Sequence, residues 1–149
     1  MNITKTLISG FILFLTSALS SAYAENSMNF GDYVVHYNAF RSDTLTPEIA
    51  KAYQLTRRNN RMVVNITVLK RQADNKTMPV KAKVEGFASN LSGQVKNLEF
   101  REIIDGEAIY YIAQDQVSHQ ETLKFEIKAS PQGSGITGTV KFKQQFFTD

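Results

Sequence analysis

The sequence predicts an all-β chain: a two-sheet antiparallel sandwich, immunoglobulin-like in size, of about seven strands with one short helix after the first strand. Three observations predict it. Short runs rich in β-branched and aromatic residues alternate apolar and polar positions along most of the chain. The runs recur at fairly regular spacing, separated by turn-forming clusters such as Asp105-Gly106 and Pro131-Gln132-Gly133-Ser134-Gly135. Only one stretch, 45–53, carries the marks of a helix. A small barrel is the alternative closure of the same strands.

Residues 1–24 read as a secretory signal peptide. Lys5 precedes an apolar run over 7–19, and Ala22-Tyr23-Ala24 supplies the small-x-small pattern that signal peptidase accepts. No later stretch approaches the roughly 20 apolar residues that a membrane span needs, so no transmembrane segment is expected after cleavage. Residues 25–149 then form one domain, long enough to bury roughly two-thirds of its unfolded surface. The chain has 0 Cys, so an exported domain of this size must be held by packing alone. Of the 17 Lys and Arg only Lys5 lies in the leader, and the remaining 16 face 14 Asp and Glu, about +2. That modest charge is spread over nearly every segment, which argues against a nucleic-acid partner.

After a polar lead-in over 25–31, the first strand is expected at 32–40, with Tyr33, Val35, Tyr37 and Ala39 on one face and Val34, His36, Asn38 and Phe40 on the other. Neither face is wholly polar, so both can be covered. In the helix, Thr46 caps the start, Pro47 suits the first helical position and Glu48 lies in the first turn. Ile49, Ala52 and Tyr53 give it a side to lay on the sandwich. The second strand, with Met62, Val64, Ile66 and Val68 facing the core, has the strongest alternation in the chain. A third strand runs from Val80 to Ser89, where Gly86 invites a bulge or a close backbone approach. The fourth and fifth form a hairpin over 98–113 about Asp105-Gly106. A two-residue loop there pairs Phe100 with Tyr111; a three-residue loop with a bulge pairs it with Tyr110 and separates apolar from polar residues more cleanly, and is favoured. The sixth and seventh strands run over 123–129 and 136–143.

Several of these stretches together resemble a family of exported bacterial proteins known as domain of unknown function 4426. They are His36-Tyr37-Asn38-Ala39-Phe40, Pro47-Glu48-Ile49-Ala50 with Tyr53, Val64-Asn65-Ile66-Thr67-Val68-Leu69, Gly93-Gln94 with Leu98-Glu99-Phe100-Arg101-Glu102-Ile103, Ala108-Ile109-Tyr110-Tyr111-Ile112 and Lys141-Phe142-Lys143-Gln144-Gln145-Phe146-Phe147. The resemblance implies a periplasmic sandwich protein of Gram-negative bacteria and brings no activity with it.

Candidate binding residues are His36, Tyr37, Asn38, Arg101 and Glu102. His36-Tyr37-Asn38 is the most polar cluster embedded in a strong strand, and polar groups in such a place need hydrogen-bond partners or a purpose. The cluster is either the wall of a ligand pocket or a set of ties to the helix-bearing loop. Glu99, Arg101 and Glu102 offer a carboxylate pair organised by a cation, but alternation sends Glu102 to the opposite face, where an ordinary ion pair accounts for it. Two histidines without cysteine give no metal-ligand spacing, no nucleophile motif is present, and neither metal nor cofactor is expected. Lys81, Lys83, Lys124, Lys128, Lys141 and Lys143 fall on outward positions, either as a basic face toward anionic lipid or polysaccharide or as a solvated face. The functional expectation is a non-enzymatic binding or structural module of the cell envelope, periplasmic, engaging a protein or envelope component. The alternative is a small hydrolase or metal-dependent enzyme using His36, which would require a carboxylate converging on that residue.

Overall fold

The computed structural model describes residues 26–149; the expected leader lies outside them. Among these residues ten strands, one α-helix and a short 3-10 turn (Ser42–Thr44, after β2) follow in order: β1 (Asn26–Phe30), β2 (Tyr33–Arg41), α1 (Pro47–Ala52), β3 (Arg61–Arg71), β4 (Thr77–Pro79), β5 (Ala82–Asn90), β6 (Val95–Leu98), β7 (Arg101–Asp105), β8 (Ala108–Gln116), β9 (Glu121–Pro131) and β10 (Gly138–Phe146). They make two antiparallel sheets. The larger has the order β1-β2-β3-β8-β7, with β4 also paired to β3; the smaller has the order β10-β9-β5-β6. This is the expected sandwich, with ten strands where the sequence indicated seven.

The inner faces follow the alternation of the sequence. Met62, Val64, Ile66 and Val68 of β3 are wholly buried, with Val35 beside them, against Leu123, Phe125, Ile127 and Val140 of the smaller sheet. Aromatic rings span the gap: Tyr37 lies 4.7 Å from Phe142, and Phe142 stacks on Phe125 at 4.6 Å. Val63, on the other face of β3, is buried too, because α1 covers it.

Three extra strands arise where propensity is weak. β1 has no β-branched residue, yet it pairs along its whole length with β2 across the turn at Gly31, whose φ is +54°. β4 is three residues long and continues beside β3 where β8 has ended. The expected fourth strand is in fact two. β6 pairs with β5 in the smaller sheet, the chain crosses over at Glu99 and Phe100, and β7 pairs with β8 in the larger.

The hairpin register also differs from both expectations. Ile104 pairs with Ile109 and Asp105 with Ala108, so the loop is Gly106-Glu107 and Phe100 lies outside the ladder. Gly106 takes the positive φ at the first central position, the requirement of a type II′ turn. Asp105 stays in the strand, where its carboxylate accepts a hydrogen bond from Tyr53 at 2.8 Å.

The helix starts as expected: the Thr46 side chain accepts from the Ile49 N–H, and Pro47 opens the first turn. Its docking face is different. Ala50 is buried and Ile49 is 42% exposed, because the small Ala50 and the flanking Leu55 close on Val63 and Ile112, with Phe40, Leu45, Tyr53, Ile103 and Tyr110 around them.

Gly86 has no room for a side chain, since a Cβ there would lie 2.5 Å from the Glu126 carbonyl oxygen and 2.8 Å from the Ile127 Cα. At Gly138 the obstruction is the ring of Phe30, at 2.7 Å. Backbone cannot yield without breaking the β5–β9 ladder, whereas a half-buried ring on an edge strand can turn aside. Gly86→Ala should therefore lower stability by about 1–3 kcal/mol, and Gly138→Ala by clearly less. Urea unfolding of the two variants checks the order.

Candidate binding site

The outer face of the larger sheet divides into a covered half and an open half. Phe40, Val63, Ile103, Tyr110 and Ile112 pack beneath α1 and its flanking loops. Two residues further along β2 and β3 the surface turns polar. Asn38 stands opposite Asn65, His36 stands opposite Thr67, and Ser27 of β1 stands opposite His36. Ser27, His36, Asn38, Asn65 and Thr67 thus form a polar patch without Lys, Arg, Asp or Glu across three adjacent strands. Within it the Asn65 side-chain oxygen is buried and accepts no hydrogen bond among the described residues.

His36 and Asn38 are brought together in this patch. Arg101 is on the same face, but its guanidinium donates to the carbonyls of Tyr53 at 2.7 Å and Gln54 at 3.4 Å, closing the C-terminal end of α1. Together with the Tyr53–Asp105 bond, it clamps the helix to β7 beside a cavity of about 410 Å³ lined by Gln54, Leu55, Glu99, Arg101, Ile112 and Gln114. Tyr37 and Glu102 point the other way. Tyr37 packs on Phe142 between the sheets. Glu102 accepts from the Tyr111 hydroxyl at 3.0 Å and lies 3.4 Å from the Lys81 ammonium; Tyr111 in turn accepts from the Ala82 N–H at 2.8 Å. That chain of bonds ties β7 and β8 to the start of β5 where the sheets part.

Ser27, Asn65 and Thr67 complete the patch and are missing from the sequence-derived set. A polar Asn in the middle of the strongest strand was the available signal; placing it beside Asn38 required the β2–β3 register. Among the described residues no group of three or more His, Cys, Asp or Glu is placed to hold a metal ion. His119 is occupied at the chain end: its Nδ1 accepts from the Thr148 N–H at 3.1 Å and its Nε2 lies 3.8 Å from the Asp149 carboxylate. No described helix is long and apolar enough to cross a membrane.

Fold and surface define a two-sheet sandwich with a helix docked on one outer face and an open polar patch beside it. The chain belongs to the family described as domain of unknown function (DUF4426), which it matches over residues 27–149. A crystal structure of a DUF4426 family protein from Pseudomonas aeruginosa PAO1 is 38% identical, with 84% of this chain and 96% of that chain covered and a TM-score of 0.72. FetP of uropathogenic Escherichia coli strain F11, recombinantly expressed in the periplasm, is 7% identical over 83% of this chain and 94% of its own, with a TM-score of 0.56. A copper-bound variant of FetP is 8% identical over 83% and 95%, with a TM-score of 0.55. At these identities FetP shares the fold alone. No curated protein matches the chain.

The helix clamp has an alkaline signature. Burial first, then the hydrogen bond to the Asp105 carboxylate and its charge, push the Tyr53 hydroxyl up from 10.0 to about 12. Burial, and then Glu102, also raise Tyr111, against an opposing effect of the Ala82 N–H. Between pH 10 and 12 the unfolded chain has released the Tyr53 proton while the folded chain retains it, so stability is full below this window and falls as pH rises through it. Tyr53→Phe should cost on the order of 0.5 kcal/mol at neutral pH and should flatten the decline above pH 10. Urea midpoints measured along a pH series check both.

Proposed function

We propose that this protein is an exported, non-enzymatic binding module of the cell envelope, in which 1–24 is a cleaved leader and 25–149 a single periplasmic domain. Its ligand or partner docks on the open half of the larger sheet's outer face. The observation that carries this reading is the polar patch across three adjacent strands, at whose border with the helix-covered half the Asn65 oxygen is a buried acceptor without a donor among the described residues. A buried acceptor left unsatisfied costs about 1–3 kcal/mol, and a partner that displaces the side chains above this oxygen and places an N–H or O–H there removes that cost. The partner surface is accordingly neutral and rich in donors, such as an exposed backbone segment or a hydroxylated polymer.

His36 and Asn38 contact the partner, with Thr67 and Ser27 at the margin. Tyr37 positions β2 from below through Phe142, while Arg101 and Glu102 hold β7, and through it the helix that walls the patch. The family resemblance and FetP's expression in the periplasm support the compartment. The copper of the FetP variant is left with that protein, because the described residues of this chain offer no cluster to receive it. The hydrolytic alternative asks for a carboxylate beside His36; its cross-strand neighbours are Ser27 and Thr67.

Asn65→Leu separates binding from folding. It replaces the unsatisfied acceptor by an apolar group of similar size, so the isolated protein should become more stable by about 1 kcal/mol while losing its partner. Urea unfolding reads the first effect. The second is read by a photo-crosslinking residue at Asn38 in living cells, which should give a discrete adduct that Asn65→Leu abolishes. A destabilised Asn65→Leu protein, or an adduct unchanged by it, would refute the proposal.

A further inference from the structure

The outer face of the smaller sheet has a different chemistry. Cross-strand pairing lays out its rows. One is Lys143, Lys124, Ser89 and Val95; the next is Lys141, Glu126, Phe87 and Asn97; a third is Thr139, Lys128 and Glu85. Lys143 and Lys124 are directly opposed across β10 and β9, an arrangement that weakens a sheet. Among the described residues neither they nor Lys141 form an ion pair, while Lys83 has Glu85 at 3.9 Å. Protection of an exposed edge explains lysines on β10, which is an edge strand, but not Lys124 and Lys128 on β9, which is paired on both sides.

Apolar residues accompany the lysines. Phe87 is 37% exposed, Val95 60%, and Leu91, in the turn between β5 and β6, 71%. A cavity of about 380 Å³ in this face is lined by Phe87, Ser89, Lys124, Lys141, Lys143 and Glu126, over Phe125 and Phe142, whose rings face the core. The most exposed apolar residue sits at a hairpin tip, so the surface is a wedge beside a band of cations and does not enclose a chain as a peptide groove would. Apolar side chains entering the interface while lysines meet phosphates is the chemistry of a peripheral membrane contact.

We infer that the outer face of the smaller sheet docks on an anionic phospholipid bilayer, with Leu91, Val95 and Phe87 in the interface and Lys124, Lys141 and Lys143 on the head groups. The face lies across the core from the Asn65 patch, so this inference and the binding reading stand or fall separately.

Vesicle flotation of the purified protein tests it. The protein should float with phosphatidylcholine vesicles containing phosphatidylglycerol and not with phosphatidylcholine alone, and added salt should release it. Lys124→Glu turns the opposed lysines into an opposite-charge pair, so this variant folds at least as well as the parent. Its partition should nevertheless fall roughly tenfold or more. Leu91→Ser with Val95→Ser should lower partition as well, and Lys51→Glu, on the exposed side of α1, should leave it unchanged. Three results would overturn the inference: no preference for phosphatidylglycerol; equal loss with Lys51→Glu, which would mark a mere effect of net charge; or full binding by the Leu91 and Val95 variant, which would point to an acidic protein or polymer instead.

Discussion

Closure of two sheets around β3 without any covalent cross-link is the constraint on which the molecule depends. Met62, Val64, Ile66 and Val68 are shut off from water on one side of that strand, and Val63 on the other. Each such side chain contributes about 1.5–3 kcal/mol relative to exposure, and a chain with 0 Cys has no other reserve of comparable size. The inner faces are therefore committed to packing. The outer faces carry the remaining chemistry: polar side chains on the larger sheet, and ammonium groups with exposed hydrocarbon on the smaller.

The ends and seams of the sandwich are closed by polar bonds to backbone. Arg41 grips Asp43 with two nitrogens and donates with the third to the Phe147 carbonyl at 2.6 Å, while the Asn59 amide donates to the Thr148 carbonyl at 2.6 Å. Phe146 is buried just before them, so the last strand is fixed by a ring inside and by carbonyls outside. At the other seam, Glu102, Tyr111 and the Ala82 N–H join the two sheets where no side-chain layer could. Arg101 likewise bonds to the end of α1, and Glu102 to the seam between the sheets.

Much of this was legible in the sequence, for identifiable reasons. In β3 and β9 every second residue is apolar because one face meets the core, so their inward residues could be read directly, although Val63 on the other face of β3 is buried as well. β1 could not, since Asn26-Ser27-Met28-Asn29-Phe30 has no β-branched residue and owes its conformation to pairing with β2. The division between β6 and β7 was hidden because a chain changing sheets at Glu99-Phe100 leaves no glycine or proline to mark the crossing. The turn at Gly106 was visible, but whether Asp105 belongs to loop or strand was settled by Tyr53, a residue of another element. The same limit applies to the patch: His36 and Asn38 announce themselves as polar residues in a strand, whereas Asn65 acquires meaning only from its neighbour across the ladder.

The strand order has a kinetic corollary. The central strands of both sheets find their partners far along the chain: Val64 pairs with Ala113 and Gly86 with Ile127. Such contacts reward the polypeptide only after long loops have closed, which places sandwiches of this kind among the slow folders, in milliseconds to seconds and not microseconds. The smaller sheet lies wholly within residues 82–146, whereas the larger needs strands from both halves of the chain. A chain of this topology therefore stays open for longer than one built from neighbouring hairpins alone.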